Sequence, residues 1–268
     1  MFIFFPQARA CAEHSGESDP AGARELLRLV NQERAKHGRA ALEWDDRLEQ
    51  VALEHAYLMA EHKQISHQFS GEPNLRLRLA KTSIRLDHSG ENVADDNSGI
   101  ISAHVGLMNS PPHRANILSP DYNAIGIAVV KRGGYYYVVE DFAHRLPEVG
   151  AAEVEGQITA AFDRARRESG QAPLTRTPVR GLRDTACSMA RNDAVNARNV
   201  DIPQARYVLA FTISEPERLP ADLLKLRSNQ EIGSYAIASC FGRTPSYPNG
   251  VFWNVMVFFP KTSSSRSR

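Results

Sequence analysis

The chain has 268 residues, of which 42% are hydrophobic and 24% charged; this ordinary globular composition excludes a largely disordered protein. Its formal net charge of +1 produces no strong overall field, so the composition argues against a nucleic-acid-binding protein. No stretch approaches the about 18 apolar residues that indicate a transmembrane span. The length allows one large domain or two of ordinary size.

The first residues predict an export signal whose start is missing. A short apolar run is followed by Ala8, Arg9 and Ala10, which resemble an A-x-A cleavage site, although the usual basic region is absent. Cys11 would follow that site as in a lipoprotein, but Ala8 stands where a lipobox has leucine. The alternative is an N-terminal tag without significance. We expect residues 1–20 to be a remnant of an export signal or disordered, and the protein to be secreted, periplasmic or associated with the cell envelope.

Apolar residues at helical spacing predict two helices in the first half, one over 21–37 and one that begins after a cap at Asp45. His55 lies on the apolar stripe of the second helix, so we expect a core histidine with satisfied hydrogen bonds. The arginine-rich stretch 74–81 predicts a short helix with an exposed face.

The rest of the first half alternates strand and helix patterns. Residues 91–94 predict a strand and 100–108 a helix, and the runs 124–130 and 135–139 predict a hairpin that turns at two glycines. The order helix, helix, strand, helix, strand, strand indicates an α/β layer architecture.

The second half repeats this order of predicted helices and strands but contains no histidine. Gly170 and Leu174 follow a helical pattern just as Gly38 and Leu42 do, and both spacings are equal (170 − 38 = 174 − 42 = 132). Apolar strand patterns then recur, and we predict an internal duplication. Chance similarity between generic helix patterns is the alternative. All nine histidines lie at or before His144, so a second copy would keep the scaffold without the site.

Three cysteines permit few conclusions. Cys187 and Cys240 lie in the second half and could pair if the chain is exported, or both could be buried free thiols.

The order of several short motifs is more specific than any one of them. The motifs are Leu29-Val-Asn-Gln-Glu-Arg34, Leu42-Glu-Trp-Asp45, Ser66-His67, Gly90-Glu-Asn92, Asn109-Ser-Pro-Pro-His-Arg-x-Asn-Ile-Leu118, Ile125-Gly-Ile-Ala128 and Val138-x-x-Asp-Phe142. Together they resemble the CAP superfamily, in the bacterial type of the SCP-like or pathogenesis-related-1-type domain, over about residues 22–143. The resemblance implies an exported α-β-α sandwich. With the repeat, we expect a CAP/SCP-like domain at 21–146, a degenerate copy at 151–260 and a flexible tail at 261–268.

The resemblance also implies a cleft lined by two histidines and two glutamates, which in several members binds a divalent metal. By motif, the histidines are His67 and His113 and one glutamate is Glu91, whereas Ser110 aligns with the second glutamate. Two neutral imidazoles and a carboxylate are suitable ligands for zinc or another divalent cation. They could also act as an acid–base pair on water, or hydrogen-bond one another and only hold the loops together.

These observations favour an exported binding module over an enzyme, with a metal, lipid, peptide or protein as its ligand. A hydrolase that uses His67, Glu91 and His113 is the alternative, although the sequence has no Gly-x-Ser-x-Gly and no His-Glu-x-x-His motif. A purely structural or interaction role for the doubled scaffold is the third hypothesis.

Overall fold

A computed structural model of the protein describes residues 16–196 and 202–261. Of the segment 1–20, predicted as a remnant of an export signal or disordered, residues 1–15 with Cys11 lie outside the described residues, as does the predicted tail after Lys261. Residues 17–18 and 20 of that segment are ordered, in a strand and at the start of a helix. The described chain forms two compact units: the first spans 16–145 except for 83–87, and the second holds 83–87 and 146–261. No helix in these ranges has the length and apolar character needed to cross a membrane.

The first unit is built on a mixed sheet with helices on both faces. Its described helices are α1 (Pro20–Lys36), α2 (Asp46–His62), α3 (Leu75–Ala80), α4 (Ile100–Asn109) and α5 (Pro111–Leu118). Its described strands are β1 (Glu17–Ser18), β2 (Glu43–Trp44), β3 (Leu86–Asp96), β4 (Ala124–Arg132) and β5 (Tyr135–Arg145). The strand order is β1-β4-β5-β3, and β2 pairs in parallel with the start of β4.

Strand β4 shows how the layers form. Successive side chains of a strand point to opposite faces, and Ile125, Ile127 and Val129 pack in the core with α1, α4 and α5. Ala128 and Val130 pack on the other face, in the core with α2. The predicted α-β-α sandwich is therefore confirmed.

Local chemistry helps to place α1 and α2 on the two faces of this sheet. The Asp19 side chain accepts a hydrogen bond from the Gly22 amide at 2.9 Å and caps α1, and Pro20 occupies its first turn. Helix α2 crosses β4 so closely that a Cβ added to Gly126 would lie 2.0 Å from the Glu49 nitrogen. A residue without a side chain is therefore required at position 126.

Helix α5 was not predicted from the sequence pattern. It begins with two prolines, Pro111 and Pro112, at positions where a missing amide hydrogen leaves no intrahelical bond unmade. The helix carries His113 in its first turn, so this predicted site residue lies on a helix.

The second unit has the same layer arrangement within its described residues. Its helices are α6 (Ala151–Glu168), α7 (Leu182–Arg191) and α8 (Ala221–Leu224), and its strands are β6 (Thr175–Arg176), β7 (Tyr207–Ile213), β8 (Ile232–Gly242) and β9 (Val251–Pro260). The strand order β6-β8-β9-β7, with β6 parallel to β8, matches the order β2-β4-β5-β3 of the first unit. Helix α6 packs on one face of the sheet and α7 on the other. A disulfide joins Cys187 of α7 to Cys240 of β8.

Candidate functional site

Glu91 on β3 anchors the predicted site. Its Oε1 accepts a hydrogen bond from His67 Nδ1 at 2.9 Å, and its Oε2 accepts one from the Arg78 guanidinium. The Glu91 side chain is 3% exposed, whereas that of His67 is 61% exposed. Because an ionised carboxylate only accepts, His67 donates from Nδ1 and presents the lone pair of Nε2 to solvent.

Arg78 joins Glu91 to a second buried carboxylate. Its Nη1 donates to Glu72 Oε1 at 2.7 Å, and its side chain is only 6% exposed. The prediction of an exposed face over 74–81 is therefore wrong at Arg78. The physical reason is that two carboxylates from distant segments surround the guanidinium, which the pattern of a six-residue helix does not reveal.

His55 is confirmed as a core histidine. Its Nδ1 lies 2.7 Å from Glu72 Oε1 and its Nε2 lies 2.7 Å from the Ser66 carbonyl oxygen. Both ring nitrogens of the buried imidazole therefore have polar partners. Burial raises the pKa of Glu72, but hydrogen bonds from the Phe69 amide and Arg78, together with His55, bring it below its ordinary value. The contacts of His55 with Glu72 and Ser66 tie α2 to the loop that presents His67.

Two further carboxyl groups lie behind Glu91 on β5. Asp141 is fully buried, and desolvation, followed by the charge of Glu91, raises its pKa well above the ordinary value. Neither Asp141 oxygen has a hydrogen-bond partner among the described residues, so Glu91 acts on this pKa chiefly through its charge. Burial likewise raises the pKa of Glu140 to about 7, against a smaller opposite effect of the hydrogen bond from Asn92.

Asn92 connects β3 to the segment that carries the second predicted histidine. Its Nδ2 donates to the His113 carbonyl oxygen at 3.2 Å and to Glu140 Oε2 at 3.0 Å, while its Oδ1 accepts from Asn116 Nδ2 at 2.9 Å. Burial lowers the pKa of His113, and the neighbouring His67 lowers it further. His113 is therefore a neutral imidazole near neutral pH, which is the form that binds metals.

The carboxylate of Glu91 is already paired with a cation, because the Arg78 guanidinium bonds its Oε2. A second cation that approached Glu91 would have to displace Arg78. Cation binding would therefore depend on the imidazoles of His67 and His113.

The structure does not test the predicted metal-ligand set as a whole. Both oxygens of Glu91 are engaged by protein donors, and Ser110 lies at the junction of α4 and α5. In the described ranges, three His, Cys, Asp or Glu side chains come within 4.8 Å of one another, measured between their ligand atoms, only around His88 and His144. The residues His67, Glu91 and His113 do not form such a group there. The set of His67, Glu91 and His113 therefore stays a prediction.

His88 and His144 form a pair that sequence reasoning missed. They lie on β3 and β5, with ring centroids 6.4 Å apart and ligand nitrogens within 4.8 Å. No motif links two histidines that are 56 residues apart (144 − 88). Such a pair offers potential metal ligands on the first sheet.

Comparisons with known proteins agree with this architecture. Residues 27–142 match the family model described as CAP, the cysteine-rich secretory protein family. The chain is 33% identical over 122 residues to the uncharacterized membrane protein YlbC of Bacillus subtilis (strain 168). The aligned region covers 46% of this chain and 34% of that protein. The chain is 27% identical over 113 residues to the uncharacterized protein YkwD of the same organism, which covers 42% of this chain and 44% of that protein. The chain thus spans less than half the length of these two relatives.

One solved structure is similar over nearly the whole chain. The crystal structure of Na-ASP-1 superposes with a TM-score of 0.51 at 10% identity, and covers 93% of this chain and 91% of that one. At this identity the likeness is one of fold alone.

Proposed function

Because the first unit of this chain is a CAP superfamily domain, we propose that the protein is an exported binding module that recognises its ligand through His67 and His113. The observation that carries the proposal is the orientation of His67, whose Nδ1 is held by buried Glu91 while its side chain remains 61% exposed. A surface imidazole that is fixed in one tautomer loses little entropy when it binds a ligand.

A divalent cation is the ligand that this chemistry fits best. Neutral imidazole is a common zinc ligand, and a carboxylate on the opposite ring nitrogen orients the ring and raises its basicity. Glu91 stands in that relation to His67, so in this proposal it orients the metal-binding histidine and does not bind the metal itself. A bound zinc would supply Lewis acidity and would leave positions for solvent or for a group from a partner molecule.

The proposal of export rests on the disulfide. Cys187 and Cys240 are bonded, and such bonds persist in oxidising compartments. A secreted, periplasmic or envelope-associated protein satisfies this condition.

We also propose that residues 151–260 are a degenerate copy of the domain at 21–146. Two observations support this: the strand orders are the same, and buried Arg34 and Arg166 make equivalent bonds 132 residues apart (166 − 34). Arg34 Nε donates to the Ala40 carbonyl oxygen at 2.7 Å, and Arg166 Nε donates to that of Ala172 at 2.9 Å. The second unit would then contribute a separate surface to the binding module.

Zinc titration by calorimetry tests the proposed cation site. We expect the parent to bind with micromolar or tighter affinity, and His67→Ala and His113→Ala each to lose binding. Glu91→Gln should weaken binding about 10- to 100-fold because it disturbs the outer carboxylate. His62→Ala serves as the matched control, since His62 is an exposed histidine of the same unit that stacks on Phe69.

Two results would count against the cation site. One is affinity that survives both His67→Ala and His113→Ala, which would move the metal elsewhere. The other is no binding by the parent, together with lower melting temperatures of both variants, which would make the cluster structural.

Hydrolysis is the second candidate function, because His67 held by Glu91 has the geometry of an oriented general base. Within the described chain the His67 side chain bonds Glu91 and not a serine or cysteine, so water would be the nucleophile. A panel of ester and peptide substrates tests this candidate. Turnover must disappear in His67→Ala while the fold is retained.

A further inference from the structure

The second unit contains a buried carboxylate beneath two arginines. Glu155 on α6 is 3% exposed, and its Oε1 accepts from the Ser239 amide at 3.0 Å and from Arg183 Nη2 at 3.1 Å. Its Oε2 accepts from Arg176 Nη2 at 2.5 Å. The carboxylate thus fixes two guanidinium groups from different segments, one on β6 and one on α7.

These arginines line a cavity of about 390 Å³. That volume falls within the range of roughly 300–1,000 Å³ that is typical of small-molecule sites. The rest of its wall consists of Thr177, Pro178 and five aliphatic residues: Val179, Leu182, Ala236, Ile237 and Ala238. The cavity therefore combines two cations with an apolar surface.

The two arginines carry more charge and more donors than Glu155 uses. One buried negative charge is matched by two positive charges, which leaves a net charge of +1 at the cavity. Among the described residues, Arg183 donates to Glu155 through Nη2, and Arg176 uses Nη2 for Glu155 and, at 3.4 Å, for the Ile237 carbonyl oxygen. Nε and Nη1 of both arginines make no hydrogen bond to these described residues. Guanidinium donors of this kind are suited to bidentate recognition of a carboxylate or phosphate.

The corresponding place in the first unit is built differently. Trp44 pairs with Ile125 on the short parallel strand β2, just as Arg176 pairs with Tyr235 on β6. There Trp44 lies under the Arg24 guanidinium, which is 3.7 Å from the ring centroid. An aromatic ring thus occupies the strand position that Arg176 holds in the second unit.

We propose that this cavity is a binding site for a small organic anion, whose carboxylate head contacts Arg176 and Arg183 and whose apolar body lies against the aliphatic wall. Glu155 is a positioning residue: it holds both guanidiniums at the cavity and does not contact the ligand. The site uses no residue of the His67–Glu91 cluster, so it is independent of the function proposed for the first unit.

Calorimetric titration of the full chain with sodium hexanoate tests the proposal. We expect millimolar or tighter binding, and an about tenfold or greater loss of affinity in Arg176→Gln and in Arg183→Gln, since each removes charge-assisted donors. Arg180→Gln, an exposed neighbour that loses the same charge, should bind as the parent does. His67→Ala should also bind as the parent does, which separates this site from the cleft of the first unit.

Two ligand controls separate the head from the tail. Neutral 1-hexanol should bind at least about tenfold more weakly than hexanoate, because it lacks the charge that the arginines recognise. Inorganic phosphate should also bind more weakly, because it lacks the apolar body.

Glu155→Gln distinguishes positioning from mere structural neutralisation. The amide oxygen can still accept from the Ser239 amide, but the variant has no second acceptor for Arg176, so hexanoate binding should weaken because a guanidinium is released from its position. Binding that tightens would mean that Glu155 only competes for the charge of the arginines, and would contradict its positioning role. Thermal unfolding of each variant verifies that the second unit is folded. The proposal is overturned if the parent does not bind hexanoate, if hexanol binds equally well, or if the folded Arg176→Gln and Arg183→Gln variants retain parental affinity.

Discussion

Glu140 is predicted to make the first unit less stable as the pH rises through the neutral range. Its side chain is fully buried, Oε2 accepts a hydrogen bond from Asn92, and Oε1 has no hydrogen-bond partner. Burial raises its pKa from the ordinary 4.5 to about 7. Between these values the folded chain binds more protons than the unfolded chain, so the free energy of unfolding falls as the pH rises.

The magnitude follows from the pKa difference. A change from 4.5 to about 7, at about 1.4 kcal/mol per pKa unit, corresponds to about 3 kcal/mol. This destabilisation is absent below the unfolded pKa of 4.5 and fully present above the folded pKa of about 7. Asp141 acts in the same direction, because burial also raises its pKa.

Glu140→Gln removes the ionisation and keeps the acceptor for Asn92. We expect the variant to gain up to about 3 kcal/mol over the parent at pH values above the folded pKa, and little at acidic pH. Urea unfolding followed by Trp44 fluorescence reports on the first unit if Trp253, the other of the two tryptophans, is replaced by phenylalanine. Glu61→Gln controls for the loss of an exposed carboxylate in the same unit.

The difference between parent and variant isolates Glu140 from other titrating groups. His104 acts in the opposite direction. Burial lowers its pKa, so the unfolded chain binds more protons and the free energy of unfolding falls as the pH falls. This contribution is common to both proteins and cancels. A difference that stays constant between acidic and alkaline pH, or a variant that is less stable than the parent at alkaline pH, would refute the reasoning.

The remaining predictions concern buried cross-links of each unit. Arg34→Ala should destabilise the first unit by about 3 kcal/mol, because Arg34 donates to the carbonyl oxygens of Ala40, Ile117 and Ser119, and that of buried Ile117 would be left unpaired. Arg34→Lys should not restore the loss in urea unfolding, since one ammonium cannot replace the planar fork; full rescue by lysine would contradict this. Cys187→Ser combined with Cys240→Ser should cost the second unit about 4 kcal/mol, the loop-closure value for cysteines 53 residues apart. Hydrogen exchange should show that loss in α7 and β8 and not in the first unit, and an equal loss in β4 would argue against it.

Much of the fold could be predicted from local pattern. Helix α1 follows from the Asp19 cap and its apolar spacing. Strands β4 and β5 of the first unit, and β8 and β9 of the second, follow from apolar runs bounded by turn residues. These signals are local because backbone capping and side-chain periodicity involve residues only a few positions apart. Helix α5 escaped prediction because its two initial prolines occur both in turns and at helix starts.

The candidate site was predictable only in part, because its motifs mark residues and not their partners. The sequence drew attention to His67 and Glu91, and the structure joins them at 2.9 Å. The sequence could not show that Arg78 is buried against Glu91, since charged residues in short helices are usually solvated.

The sequence by itself determined the α/β layer arrangement of the first half, most of its elements other than α5, and the restriction of histidine to that half. Only the tertiary structure decided which charged groups share a buried environment: Arg78 with Glu91, and Glu155 with Arg176 and Arg183. The reason is that desolvation and charge pairing depend on groups brought together from distant segments, whereas periodicity depends only on neighbours in the chain.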